Sequence, residues 1–304
     1  MSGPLAASDL DQTLIFSERS AAADVAALVP VERYAGRTIS WVTPQAWRLL
    51  GELVASGAFV PVTTRTREQY ERVRWPQRPP RVAVCANGGV LLVDGEPDAA
   101  WAAAVRRALS GCAPLARVHA ELSRVVDAAR AAVPGSAEPA VRDVPGLFSY
   151  AVLREGQRPA LEGEPLRQLT DRLDGWGYVV SLQGRKLYAV PRPLTKSAAV
   201  AEVVRRGGFD GFVSAGDSLL DADLLAAARA AVRPAHGELF RAGWEHPAVA
   251  LLGAAGAEAG ERTARWLLAA VRGEVLPPGP VPDPAQAQKE CSSAGKAPVR
   301  TSSA

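Results

Sequence analysis

The chain is poor in the residues that bind soft metals, carry redox chemistry or cross-link a fold. Of 304 residues, only three are cysteine and three histidine. Cys85, Cys112 and Cys291 lie far apart with no CxxC spacing, which argues against a zinc site or a disulfide scaffold and fits a reducing compartment. His119, His236 and His246 are equally scattered, and nothing in their spacing suggests a Ser-His-Asp or Cys-His relay. Excess charge is lacking too. The formal net charge is +3, with Lys and Arg spread along the chain, so neither nucleic acid nor an anionic membrane is expected as a partner. The densest basic cluster, RVRWPQRPPR (72–81), reads as a solvated, proline-stiffened loop. No apolar window reaches transmembrane length, and no basic segment followed by an apolar stretch and a cleavage site opens the sequence. The expected compartment is the cytoplasm.

What is present is the balance of a globular protein: 48% hydrophobic and 22% charged residues, in a chain long enough for two domains or one domain with a large insertion. Strand and helix signals alternate. SGAFVPVTTRT (56–66), RVAVCANGG (81–89) and GFDGFVSAGDS (208–218) read as strands leaving through polar or glycine-rich exits, with a weaker strand ending at Asp9. Between them, TPQAWRLLGELVAS (43–56) has helical spacing, with Thr43 as its cap and Pro44 in its first turn. LLDADLLAAARAAV (219–232) also reads as helix. Alternation of this kind predicts an α/β fold with a mainly parallel sheet. From 90 to 186 the character changes. Helical segments at 97–133 and 164–177 accompany a strand at 146–155 and a hairpin at 178–190, the pattern of an inserted α+β domain. The expected organisation is therefore a discontinuous core at 1–89 and 187–273, a cap at 90–186, and a tail at 274–304. That tail is too poor in large apolar groups to repay its ordering.

The chemistry is concentrated in four short segments at expected strand ends or loops. Asp9, Asp11 and Thr13 come first in DLDQT, then Thr63 and Arg65, then Lys196 in PRPLTKSAAV, and finally Asp217 and Asp221 in GDSLLD. Loops at the carboxyl ends of neighbouring strands in an open α/β sheet meet over one crevice. Carboxylates, a lysine and threonine hydroxyls gathered there make sense around Mg²⁺ and a phosphoryl group. Hard oxygen ligands suit that ion, and a cation relieves the repulsion between Asp9 and Asp11.

The order DxDxT, strand-end threonine, lysine, GDxxxD resembles the haloacid dehalogenase superfamily, which is mostly phosphatases. VTTRT resembles the second motif of its Cof-like and sucrose-phosphate-phosphatase-like branch, and CANGGVLLVDG (85–95) resembles the asparagine-glycine strand leading into that branch's cap. LDQTLIFS with PVTTRT is also similar to phosphatases encoded beside tellurite-resistance genes in actinobacteria. The resemblance covers roughly residues 5–95 and 187–255. It implies a Rossmann-like core with a cap inserted between the second and third motifs.

It further implies Asp9 as nucleophile, Asp11 as general acid and base, and Thr63 and Lys196 as holders of the phosphoryl group. Mg²⁺ would be bound by Asp9, the backbone carbonyl of Asp11 and Asp217, with Asp221 in support. Thr13 would steady the first loop, and Thr64, Arg65 and Asn87 would lie near the substrate. The second carboxylate, Asp11, favours phosphoryl transfer over carbon–halogen cleavage. Two positions depart from the branch: Leu220 stands where asparagine is usual, and Thr64 where glycine is. The implied substrate is a small phosphorylated metabolite, such as a sugar phosphate, glycosyl phosphate or nucleotide-like compound, handled by a monomer or homodimer. A phosphotransferase or mutase, and a non-catalytic binding module on the same scaffold, are the alternatives. Taken singly, each residue has an ordinary explanation as a turn, cap or surface group, and Lys196 at the start of a helix reads by itself as solvated. Trp101, Trp176 and Tyr178 read as core or interface aromatics, and Arg142, Arg185 and Lys186 as surface residues within reach of a polar substrate.

Overall fold

A computed structural model of the chain describes residues 3–133, 140–154 and 156–274. The expected tail, apart from Glu274, lies outside the described residues, as does Cys291. Two compact units divide the chain. Among the described residues, one comprises 3–61, 71–81 and 201–274, and the other 62–70 and 82–200.

The first unit is built on a parallel sheet of five strands. Their order across the sheet is Val249–Leu252, Ala230–Pro234, Phe212–Ala215, Leu5–Ser8 and Phe59–Pro61. Short apolar runs such as LAAS and FVSA are buried along their whole length, as strands covered on both faces must be. Helix Pro44–Ala55 packs against helix Gly256–Val271. Thr43 begins the former as expected, its hydroxyl accepting from the Ala46 amide at 2.9 Å and donating to Glu261 Oε2. Between the first strand and this helix, residues 17–42 form a short helix (Glu18–Ala21) and a two-stranded hairpin, Val29–Tyr34 with Arg37–Val42.

The expected helix at 219–232 is corrected by the structure. A 3₁₀ turn at Leu219–Asp221 leads into a helix at Ala222–Ala227, but Ala230–Pro234 is a strand. Its Ala-Ala-Val opening is apolar enough for either element over so short a run. Pairing with strands on both sides decides in favour of extension.

The second unit carries a four-stranded antiparallel sheet in the order Tyr178–Gln183, Lys186–Pro191, Phe148–Val152, Ala140–Val144. Helices Leu115–Ala131 and Glu164–Asp174 supply the apolar side of its core, where Val118, Leu122, Leu153, Leu173 and Leu187 are fully buried. The expected hairpin at 178–190 is there, its strands turning at Gly184. A second sheet joins Val82–Cys85, Val90–Val93 and Glu96–Pro97.

The corner between the first two of those strands is unusually constrained. Ala86 and Asn87 take left-handed backbone (φ 50° and 54°), and Gly88 follows at φ 97°. The Asn87 amide donates to the Leu194 carbonyl at 2.9 Å, and a Cβ on Gly88 would lie 2.2 Å from the Thr195 carbonyl oxygen. Only glycine lets the corner pass this close to the residues immediately before Lys196. Gly88→Ala is expected to cost on the order of 1–3 kcal/mol or more in denaturant unfolding. Gly95→Ala, at φ 85° with nothing within 4 Å of its Cβ, is expected to cost less. Equal losses would remove the Thr195 contact as the reason for glycine.

Candidate active site

Parallel pairing of Leu5–Ser8 with Phe212–Ala215 sets Ser8 opposite Ala215, and the Asp9 amide continues the ladder by donating to the Ala215 carbonyl at 2.9 Å. Asp9 and Asp217 therefore leave adjacent strands at the same, carboxyl end of the sheet. One carboxylate oxygen from each of Asp9, Asp217 and Asp221 falls within 4.8 Å of the others. All three side chains are buried, at 5%, 3% and 0% exposure, and three hard oxygen donors at this spacing suit Mg²⁺. The Asp11 carboxylate is not among the three; Asp11 is half-buried one turn further on.

Each acidic loop has its own internal frame. After Asp9, the Leu10 carbonyl accepts from the amides of Thr13, Leu14 and Ile15, wrapping the chain into a tight turn with Gln12 in left-handed backbone at φ 59°. Thr13 is fully buried, and its hydroxyl makes no hydrogen bond within the described residues. At the other loop, Asp221 Oδ2 accepts from the Asp217 amide at 3.1 Å, the Ser218 amide at 2.9 Å and the Ser218 hydroxyl at 2.7 Å. Asp221 thus shapes the loop that presents Asp217. Gly216 makes room for it, since a Cβ there would lie 2.5 Å from the Asp221 Cβ. Leu220, the departure from the branch pattern, turns into the interior at 6% exposure.

The remaining sequence-selected residues belong to the second unit. Thr63 is fully buried, its amide donating to Val84 O at 2.8 Å and its carbonyl accepting from the Asn87 amide at 3.0 Å. Its hydroxyl accepts from the Arg65 amide at 3.2 Å, and the Arg65 guanidinium reaches the Gln69 carbonyl at 3.3 Å. Thr64, between them, is partly exposed. Lys196 opens helix Lys196–Gly207 and is 0% exposed, so the solvated reading of that lysine is wrong. A buried ammonium is expensive unless anionic or dipolar groups answer it, which is why burial raises its standing as a functional group.

The aromatic residues of this unit have structural work. Trp101 Nε1 donates to Gly88 O, the Tyr178 hydroxyl donates to Ala113 O, and the Arg117 guanidinium lies 4.0 Å above the Trp176 ring.

Sequence reasoning passed over the segment His236–Leu239 because a lone histidine in PAHGEL carries no motif. The imidazole is largely buried, edge-on to Phe16. Nε2 lies 2.6 Å from the Gln12 carbonyl oxygen, and the Gly256 amide donates to Nδ1 at 3.2 Å. A carbonyl can only accept and an amide only donate, so the ring is the neutral tautomer protonated at Nε2. Burial is the main cause holding its pKa below the usual histidine value, with Arg241 adding to the effect against the opposing Gln12 hydrogen bond. A buried histidine tied by both nitrogens is a signal that three-dimensional contacts supply and spacing does not.

No family model matches the chain, and no curated protein sequence matches it. Solved structures do. Sucrose-phosphatase from Synechocystis sp., crystallised with sucrose and phosphate, is 17% identical over 88% of this chain and 98% of its own, with a TM-score of 0.55. The C-terminal domain of trehalose-6-phosphate phosphatase from C. albicans is 14% identical over 90% of this chain and 94% of its own, at 0.57. A phosphatase of the haloalkanoate superfamily from Bacteroides thetaiotaomicron is 12% identical over 88% of this chain and 96% of its own, at 0.50. At these identities the likeness is one of fold. A parallel α/β sheet flanked by helices, joined to a unit of antiparallel sheet and helices, is the architecture this chain shares with haloacid-dehalogenase-type phosphatases.

Proposed function

We propose that the chain is a Mg²⁺-dependent phosphomonoesterase acting on a small phosphorylated metabolite, with sugar phosphates as the first class to test. The observation that carries this reading is the buried trio of Asp9, Asp217 and Asp221, whose oxygens lie within 4.8 Å of one another at the end of a parallel sheet. Burying several carboxylates together without a cation is costly, and phosphoryl-transfer sites are where that arrangement is useful. The fold shared with a sucrose-phosphatase and a trehalose-6-phosphate phosphatase supports the substrate class.

Asp9, Asp217 and the Asp11 carbonyl would hold the ion, with Asp221 fixing the Asp217 loop. When bound, Mg²⁺ would neutralise charge shared by the acidic groups and the phosphate. The chain's own residues then divide the work. An oxygen of Asp9 attacks phosphorus as the bond to the leaving oxygen breaks, and Asp11, entering as the acid, gives that oxygen its proton. Hydrolysis follows. Water attacks the aspartyl phosphate, Asp11 takes the water's proton, and cleavage of the phosphorus–oxygen bond returns Asp9 as a carboxylate with release of phosphate. The Thr63 hydroxyl and Lys196 ammonium are assigned to the oxygens of the transferring group, the cation countering charge and the hydroxyl fixing orientation. Thr13, Thr64, Arg65 and Asn87 complete the substrate surroundings in this reading. The 90–186 segment serves as the cap that selects the alcohol portion and excludes water, within a cytoplasmic monomer or homodimer.

Asp9→Asn is expected to reduce hydrolysis of p-nitrophenyl phosphate by about 10³-fold or more while leaving the fold intact. Steady-state rates and thermal melts together check this; full activity in the variant would end the mechanism. Chelation of the wild type with EDTA is expected to abolish turnover and added Mg²⁺ to restore it. Turnover unaffected by chelation would contradict the metal assignment.

A further inference from the structure

The segment His236–Leu239 touches both acidic loops. His236 Nε2 donates to the carbonyl of Gln12, the residue between Asp11 and Thr13, at 2.6 Å. Gly237 has a backbone φ of 87° and so little room that a Cβ would lie 2.5 Å from Asp217 Oδ2 and 2.6 Å from the Asp217 carbonyl oxygen. The Leu239 amide donates to that same Asp217 carbonyl at 2.9 Å, and Glu238 Oε2 accepts from the Leu219 amide at 3.0 Å. Four consecutive residues therefore hold the turn after Asp9 on one side and the turn carrying Asp217 on the other. The Gln12 end matters most, because that residue sits in left-handed backbone that a glutamine does not favour. The turn's own hydrogen bonds hold the Gln12 amide, to the Ile15 carbonyl at 2.9 Å, while the Gln12 carbonyl is met from outside the turn by His236. The imidazole has a rigid seat, edge-on to Phe16 and fixed at Nδ1 by the Gly256 amide.

We propose that His236 is a positioning residue: through the Gln12 carbonyl it sets the Asp9–Asp11 turn against the Asp217 loop, and so sets the affinity of the acidic cluster for Mg²⁺. The inference rests on the phosphatase reading for its kinetic consequence, but its metal-binding consequence can be measured without turnover. The ring touches neither substrate nor metal. Its effect passes through backbone geometry, as outer hydrogen bonds commonly tune a metal site.

Two substitutions separate the Gln12 contact from general packing. In His236→Gln the side-chain amide nitrogen occupies the place of Nε2, so the donor to Gln12 is kept and the acceptor for Gly256 is given up. In His236→Asn the amide ends near Nδ1, so the Gly256 contact is kept and the Gln12 donor is lost. Mg²⁺ titration calorimetry and Mg²⁺-dependent hydrolysis of p-nitrophenyl phosphate should be run on wild type and both variants, with thermal melts alongside. His236→Asn is expected to weaken Mg²⁺ binding about 10–100-fold and to lower kcat, while His236→Gln recovers most of both, whatever the order of their melting temperatures. Equal Mg²⁺ affinity and kcat in the two variants, at either the wild-type or a reduced level, would overturn the proposal. A wild type that binds Mg²⁺ but hydrolyses nothing would fail the phosphatase reading alone, leaving the Asn-against-Gln contrast in Mg²⁺ affinity to decide this one.

Discussion

Three acidic side chains share one buried place, and the first unit is arranged around making that possible. Ionised together at a few ångströms, each pair would repel by on the order of 3 kcal/mol at an effective dielectric of ~20, before any cost of leaving water. Two features of the fold bring them there regardless. Parallel register puts Ser8 opposite Ala215, so the next residues emerge side by side however far apart they stand in sequence. Each turn then closes on itself with backbone hydrogen bonds, around the Leu10 carbonyl in one and the Asp221 carboxylate in the other. The sheet and the loop frames fix the three carboxylates at this spacing, and the divalent cation proposed for the site suits such a set of oxygen donors.

The three carboxylates are not equivalent. Asp221 spends one oxygen on three donors from its own loop, which makes it a frame for the residue that presents its carboxylate next to Asp9. Glycine is required where these frames crowd one another: Gly216 beneath Asp221 and Gly237 beneath Asp217. In the second unit the same logic recurs around a cation. The left-handed corner Ala86–Gly88 packs on the residues leading into Lys196, so a motif that reads as a route into the cap also holds the start of the lysine's helix.

Much of this was legible in the sequence, for reasons that can be named. Asp9, Thr63 and Asp217 follow short apolar runs, and the exit from a buried strand is where polar residues in an α/β fold acquire function. Thr43–Pro44 announced a helix start through chemistry local to four residues, and the hairpin at 178–190 through alternation around Gly184. What escaped depends on contacts between distant segments. Ala230–Pro234 is apolar and alanine-rich, and only its two neighbours make it a strand. The burial of Lys196 cannot be read from a first-turn position that is usually wet. His236 gains its meaning from Gln12 and Gly256, both remote in sequence. Thr13 and Asn87 were legible by motif, but that their buried side-chain oxygens have no hydrogen-bond partner among the described residues was not.

The central claim is that Asp9 and Asp217 bind one divalent cation, and diffraction tests it most directly. Crystals of the protein soaked in Mn²⁺, a stand-in for Mg²⁺ with an anomalous signal, should show one strong peak bonded to carboxylate oxygens of both residues at about 2.0–2.3 Å. Absence of a peak at saturating Mn²⁺, or a peak bonded to other residues alone, would contradict it.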